Sequence, residues 1–401
     1  MRLAILLLPA LAAVVAAGTT VSVNKVELLW ERITTGGHNV CGDAVPCPVG
    51  AANTRASMAR AKALGFDVLR FGASGFWPPD QALFTNATTR PQFLAALDSV
   101  FDDAQALGVR LIPSLQWNHW AFVDLCHESM GAHMMRDPTS CSYRGAQAFV
   151  SAVVERYSGP GSPHRDVVYA WELGNELNLI ADISLANNTK LAINPALGTP
   201  ARRAAADSFT TADMVSFQQA VAGWVRKAAA PQRVLISSGH AVPRPAAQHL
   251  ARSYHAPQRD WTNDTEVELQ EVLQLQHTGL DLISLHIYAH PDNYRFGKPP
   301  AYLLSIAAKA ASAASTATMQ KRVYLGEFGE SLPDRRDAAS PIFNFTRDML
   351  EAAAEASVQL VTYWTWEFRG QRQTWALYPA NATARNDEHT IQVLQALNVH
   401  A

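Results

Sequence analysis

Short apolar runs bounded by turn residues alternate with longer stretches of helical periodicity along most of the chain. This is the pattern of strands and helices in strict alternation. The runs predict strands at Arg32 to Gly37, Asp67 to Phe71, Val109 to Leu115, Val234 to Ser237, Leu282 to Tyr288, Val323 to Leu325 and Val358 to Trp364. A further strand is predicted within Val167-Val168-Tyr169-Ala170-Trp171-Glu172-Leu173-Gly174-Asn175-Glu176-Leu177-Asn178, an apolar run that empties into polar residues. The periodic stretches predict helices near Asn53–Leu64, Pro91–Gly108, Tyr143–Tyr157, Asp213–Ala229, Glu266–Gln276, Ala301–Ala317, Ile342–Ala356 and Thr390–Leu397. Pro91 suits a first helical turn and Gly108 a helix end.

Eight strand–helix units demand a parallel sheet covered by helices, and eight is the number that closes a barrel. The expected class is α/β, a single-domain (β/α)8 TIM barrel over residues 18–401. A doubly wound open sheet is disfavoured, because no Gly-x-Gly-x-x-Gly follows the first strand. The length of 401 residues suits one such barrel with insertions.

Composition narrows the setting. The chain is 48% apolar and 17% charged, with a formal charge of −2, and no basic block interleaves with aromatics. Nucleic acid is therefore not an expected partner, nor is an anionic membrane surface. Residues 1–17, with Arg2 ahead of an apolar run that ends in small residues, read as a secretory signal peptide cleaved near Ala17. No later run is long enough to span a bilayer. The four cysteines fall as two close pairs, so disulfides Cys41–Cys47 and Cys126–Cys141 are expected in an exported chain. N-x-Ser/Thr acceptors occur at Asn86, Asn187, Asn263, Asn344 and Asn381. A secreted, monomeric glycoprotein is the expectation. His119, His127 and His133 match no ligand spacing, so no metal is expected, and no cofactor motif is present. Gly72-Ala73-Ser74-Gly75 is not a serine nucleophile elbow.

In a parallel barrel the carboxyl ends of the strands share one mouth. Those ends carry Arg70, Trp117-Asn118-His119, Asn175-Glu176, His286 and Tyr288, Glu327, and Trp364-Thr365-Trp366. Two facing carboxyls with an Arg and a Tyr nearby suit cleavage of a glycosidic bond. One must hold a proton for the leaving oxygen, and the other must be ionised to attack or stabilise the sugar carbon. Trp faces suit pyranose rings, and Asn and His suit ring hydroxyls. Glu172, Glu330 and Glu367 match no such strand-end motif.

The ordered set Arg70, Asn175-Glu176, His286-x-Tyr288, Glu327 and Trp364 resembles glycoside hydrolase family 5, the cellulase and β-mannanase family of retaining (β/α)8 glycosidases. It spans about Gly36 to Trp366, with the two Glu about 150 residues apart. The resemblance implies Glu176 as acid/base and Glu327 as nucleophile. It implies Asn175 on a sugar 2-hydroxyl, Arg70 and Tyr288 orienting and ionising Glu327, and His286 beside the acid/base. It implies Trp364, or Trp366 on the same strand face by parity, as the floor of the subsite. Trp117, from its place at the end of the third strand, is a further candidate binding residue. Retention with carboxyls about 5–5.5 Å apart is the matching geometry. Two departures are visible: Leu177 stands where many relatives have Pro, and no His ends the third strand in the usual register. Tyr288 with Pro291-Asp292 is mannanase-like.

The expected activity is endo-β-1,4-mannan hydrolysis, with an oligo- or polysaccharide as partner. Endo-β-1,4-glucanase or another β-glucanase activity is the alternative within the family. Two others remain: transglycosylation, and a carbohydrate-binding barrel without activity.

Overall fold

The computed structural model describes residues 19–33, 50–317, 319–331, 344–371 and 374–378. Its strands are β1 (Thr20–Asn24), β2 (Val68–Gly72), β3 (Arg110–Ser114), β4 (Trp171–Glu172), β5 (Ile236–Ser237), β6 (Leu282–Tyr288), β7 (Arg322–Gly329) and β8 (Leu360–Tyr363). They form one parallel sheet in the order β5-β4-β3-β2-β1-β8-β7-β6. The two ends of that order meet. Asp281 N–H donates to Ile236 O at 3.1 Å, and Ile236 N–H donates to the Asp281 carboxylate at 3.1 Å. The sheet is thus the nearly closed barrel that the alternation predicts.

Period-two alternation sorts the strand residues into layers. Val68, Ile112, Ala170, Leu282, Tyr324 and Leu360 meet inside as a buried floor. Two residues further along, the inward positions are Arg70, Ser114, Glu172, Ser284 and Thr362, all 0% exposed. The interior therefore turns from apolar to polar toward the carboxyl ends. The intervening side chains, such as Leu69, Phe71, Leu111, Ile283, Leu285 and Val361, pack outward in the main core under the helices. Each such aliphatic burial contributes about 1.5–3 kcal/mol.

The helices follow their local signals. Helix Arg90–Leu107 ends on Gly108 in the left-handed conformation, φ 65°. Helix Glu266–Gln276 starts on a Thr265/Glu268 capping box, and Thr211–Ala229 starts on Thr210/Asp213.

Several boundaries depart from expectation. β1 is Thr20–Asn24, and Arg32 lies instead in a short helix, Trp30–Ile33. Three of the five residues of β1 are polar, with Ser22 and Asn24 fully buried, so no apolar run marks it. β4 is regular over two residues only, with Val168 joined to Leu111 by a lone bridge. β7 continues through Gly326 to Gly329. Helices Pro78–Thr85, Trp120–Leu125 and Ala247–Arg252 occupy stretches read as loops. The stretch at 34–37 and the expected last helix, Thr390–Leu397, lie outside the described residues. No described helix is long and apolar enough to cross a membrane.

Candidate active site

Arg70 organises the mouth. It is fully buried, and all five of its N–H donors have partners. Nε and Nη2 grip Glu172 at 2.7–2.9 Å. Nη1 donates to Glu327 Oε1 at 2.5 Å and Asn24 Oδ1 at 3.1 Å, and Nη2 also reaches Asn175 Oδ1 at 2.7 Å. A buried guanidinium is tolerated when its partners are this complete. Its two acids, Glu172 and Glu327, push its pKa up against the burial that lowers it.

A bulge aims Glu327. Along β7, Tyr324 faces inward, so simple alternation would turn residue 327 outward. The β6–β7 register slips between Leu285 and His286, pairing His286 with Glu327. The extra residue is Gly326, and the slip restores Glu327 to the interior. The freed Gly326 carbonyl accepts from Asn24 Nδ2 at 3.1 Å and from Thr362 Oγ1. A Cβ at Gly326 would stand 2.9 Å from His286 Nε2, so the ring and the bulge need glycine here.

Tyr288 donates its hydroxyl to Glu327 Oε2 at 2.6 Å. Burial raises the Tyr288 pKa well above the ordinary phenol value, which keeps that proton in place as a donor. His286 Nδ1 lies 3.0 Å from Glu176 Oε1 and 3.5 Å from Glu327 Oε1. Burial lowers His286 to about 4, so it is a neutral imidazole.

Glu176 sits beyond β4 in the left-handed region, φ 53°, with its N–H donated to Gly239 O at 2.8 Å. Such a conformation is uncommon outside glycine and is found at functional sites. Its side chain is 31% exposed along the cleft, against 5% for Glu327. Glu176, His286 and Glu327 each place a ligand-type atom within 4.8 Å of the others.

Burial raises both carboxyls. The opposition differs. Glu327 has the Arg70 charge and the Tyr288 hydroxyl favouring its ionised form; Glu176 has only the Arg70 charge. Each also disfavours ionisation of the other. A proton shared by the pair therefore rests on Glu176, leaving Glu327 as carboxylate.

The cleft above has a volume of about 1110 Å³. Trp364 and Trp117 lie in it, stacked at 6.0 Å with planes 20° apart. Trp117 also covers the Arg70 guanidinium at 4.4 Å. Trp364 Nε1 donates to Gln371 Oε1 at 2.7 Å. Asn175, whose Oδ1 is taken by Arg70, turns its amide nitrogen to the cleft.

Known structures share this architecture. A family 5 glycoside hydrolase mannosidase from Rhizomucor miehei superposes with a TM-score of 0.53 at 12% identity, over 94% of this chain and 93% of that one. A GH5_18 structure from Streptomyces cattleya, in complex with GlcNAc, gives 0.59 at 15% identity over 95% and 79%. An endo-1,4-beta-mannanase from Rhizomucor miehei gives 0.58 at 12% identity over 96% and 94%. The chain has the fold of glycoside hydrolase family 5. No family sequence model and no curated sequence matches it.

Against that family 5 fold, one expected binding residue is misplaced. Trp366 is 0% exposed, donates Nε1 to Ser57 O at 3.3 Å and packs on Phe66 under the helices. Parity does not extend to it, because β8 ends at Tyr363 and the chain turns away. Trp364 alone of the two reaches the cleft.

Other residues join the site without a strand-end signature. Glu172 is the second acid on Arg70; its inward alternation with Trp171, which bonds Ser158 on an outer helix, is a signal that parity could have found. Asn24 supports both Arg70 and the bulge. His119, lowered to about 4 by burial, accepts the Asn175 N–H at Nε2, 3.3 Å. Glu330 and Glu367 are occupied elsewhere, on Thr346 N–H at 2.6 Å and Arg60 at 2.7 Å.

The Cys126–Cys141 disulfide is formed, tying helix Trp120–Leu125 to the start of helix Cys141–Ser158. Cys41 and Cys47 lie outside the described residues, as do residues 1–17 and Asn381. Asn86, Asn187, Asn263 and Asn344 are exposed. His133 bonds Ser129 at 2.8 Å.

Proposed function

We propose that the protein is a retaining β-glycoside hydrolase, with Glu176 as acid/base and Glu327 as nucleophile. The observation that carries this is the unequal pair: an Arg- and Tyr-held carboxylate beside a partly open carboxyl, their nearest oxygens within 4.8 Å. So close a pair is nearer the separation of about 5–5.5 Å of retaining enzymes than the roughly 6.5–9.5 Å of inverting ones, and agrees with direct attack. Glu327 Oε attacks the anomeric carbon as Glu176 gives its proton to the leaving oxygen. A glycosyl–Glu327 ester forms. Glu176, now ionised, takes a proton from water, and that water releases the sugar with the original configuration. Asn175 holds a ring hydroxyl, Trp364 floors the ring, and His286 keeps Glu176 oriented.

We place a β-1,4-mannan first among substrates. The supporting points are the mannanase and mannosidase names of several solved structures of the same fold and the Tyr288/Pro291-Asp292 pattern. The leader-like start, the paired cysteines and the exposed Asn acceptors support action outside the cell.

The test is hydrolysis of galactomannan or glucomannan, carboxymethyl cellulose, mixed-linkage β-glucan and laminarin, with Glu176→Gln and Glu327→Gln proteins alongside. Cleavage of a polymer that either substitution abolishes supports the reading and names the backbone. Binding without cleavage by wild type would mean a carbohydrate-binding barrel instead. NMR of the first product reads the anomeric configuration, and inversion would sink the mechanism.

A further inference from the structure

The same cleft holds two guanidiniums that the proposed hydrolysis does not use. Arg244 follows β5 and Arg295 follows β6, and both line the cavity. They come from adjoining loops, because Arg295 Nη2 donates at 2.5 Å to the carbonyl of Pro243, the residue before Arg244. Arg295 Nε donates to Asp292 O at 2.5 Å, and Arg244 Nη2 donates to the carbonyl of Leu179, just past Glu176. All these acceptors are main-chain carbonyls, which orient the two side chains without neutralising them.

Donors remain over. Nε of Arg244 is buried with no hydrogen-bond partner. Neither guanidinium forms an ion pair with a carboxylate among the described residues. Asp292 lies near both, but it is 65% exposed and sits 3.7 Å from His290. Burial lowers both guanidiniums, Arg295 to about 10, as expected where desolvation is not matched by a close counter-charge. A half-buried charge without an ionic partner is costly. An anion arriving in the cleft removes that penalty, and the planar fork of Arg suits a carboxylate or sulfate. A ring bearing only hydroxyls needs no such pair.

We infer that the Arg244–Arg295 end of the cleft binds an anionic group on the glycan, a uronate carboxylate or a sulfate ester, in a sugar next to the cleaved bond. The inference rests on the glycosidase reading and narrows its substrate class to acidic polysaccharides.

The test uses the neutral polymer that the protein cleaves, or β-mannan if it cleaves none. The same polymer is also prepared with C6 oxidised to uronate and, separately, with sulfate esters. The readout is the ratio of kcat/KM for each anionic polymer to that for the neutral one. The expected wild-type ratio is about tenfold or more for one of them at low salt, falling as salt rises. The uronate and sulfate arms show which anion is meant. In Arg244→Gln/Arg295→Gln the ratio should fall to one or below, and Arg295→Lys should retain part of the preference. A wild-type ratio of one or less with both polymers overturns the inference, and that result needs no variant to fold. An undiminished ratio in the folded double variant also overturns it. Calorimetric binding of acidic and neutral oligosaccharides to Glu327→Gln separates the two readings. A preference for the acidic ligand there supports the anion site even if wild type hydrolyses nothing.

Discussion

The two walls of the cleft are built on different principles. On the β6–β7 side the strands are long and paired through Tyr288↔Gly329, and Glu327 is part of the sheet itself. On the β4–β5 side each strand is two residues long, and Glu176 hangs beyond the sheet at positive φ. The first wall offers a side chain locked by two short donor contacts. The second offers one steadied by a neutral imidazole and open to the cleft. Such a division suits the proposed chemistry. A nucleophile benefits from a fixed line of attack, whereas an acid/base must serve first a leaving oxygen and then a water.

The largest expected effect comes from the locked wall. Glu327→Gln should lower kcat by about 10⁴-fold or more, since Glu172, the other acid on Arg70, is fully buried and does not line the cleft. Steady-state rates on the preferred polymer check this, and substantial retained activity would mean another nucleophile. The open wall should respond conditionally. Glu176→Gln should cost about 10²–10⁴-fold on a polymer and far less on an aryl glycoside whose leaving group needs no proton. Equal losses on both substrates would contradict the assignment of the proton to Glu176.

A structural change tests whether the β4–β5 wall depends on backbone conformation. Gly239 has φ 72°, and a Cβ there would meet the Gly174 carbonyl and approach the Glu172 carboxylate carbon to 2.7 Å. Gly239→Ala should destabilise the fold by about 2–4 kcal/mol, read as a lower denaturant midpoint. The mildest change touches Glu327's ionisation. Tyr288→Phe removes a hydrogen bond that lowers its pKa. The Glu327 carboxyl should rise, so the acid limb of kcat/KM should move to higher pH, with a loss of roughly tenfold at neutral pH. A limb that stays put would show that Arg70 alone sets the charge.

Much of this is legible in the sequence. Helix Glu266–Gln276 and strand β6 fall where periodicity puts them, because a capping box and a run of inward-outward alternation are local signals. Asn175, Glu176, His286, Tyr288, Glu327, Trp117 and Trp364 line one cleft, with Arg70 buried beneath them. Other features left little local trace. β1 carries polar residues because it faces a polar interior. Glu172 resembles any strand carboxylate until Arg70 is seen to reach it. Trp366 obeys parity only if the strand continues, and the strand stops.

Order along the chain was enough for the barrel and for the sequence of chemical groups around its mouth. Hydrophobic period and turn chemistry act over a few residues, so they survive in a one-dimensional string. Which acid Arg70 holds, which way Glu327 points and whether two distant arginines line one cleft are decided only on closure. Then a one-residue bulge at Gly326 reverses a side chain, and groups from different strands compete for the same few donors in a space that water no longer fills.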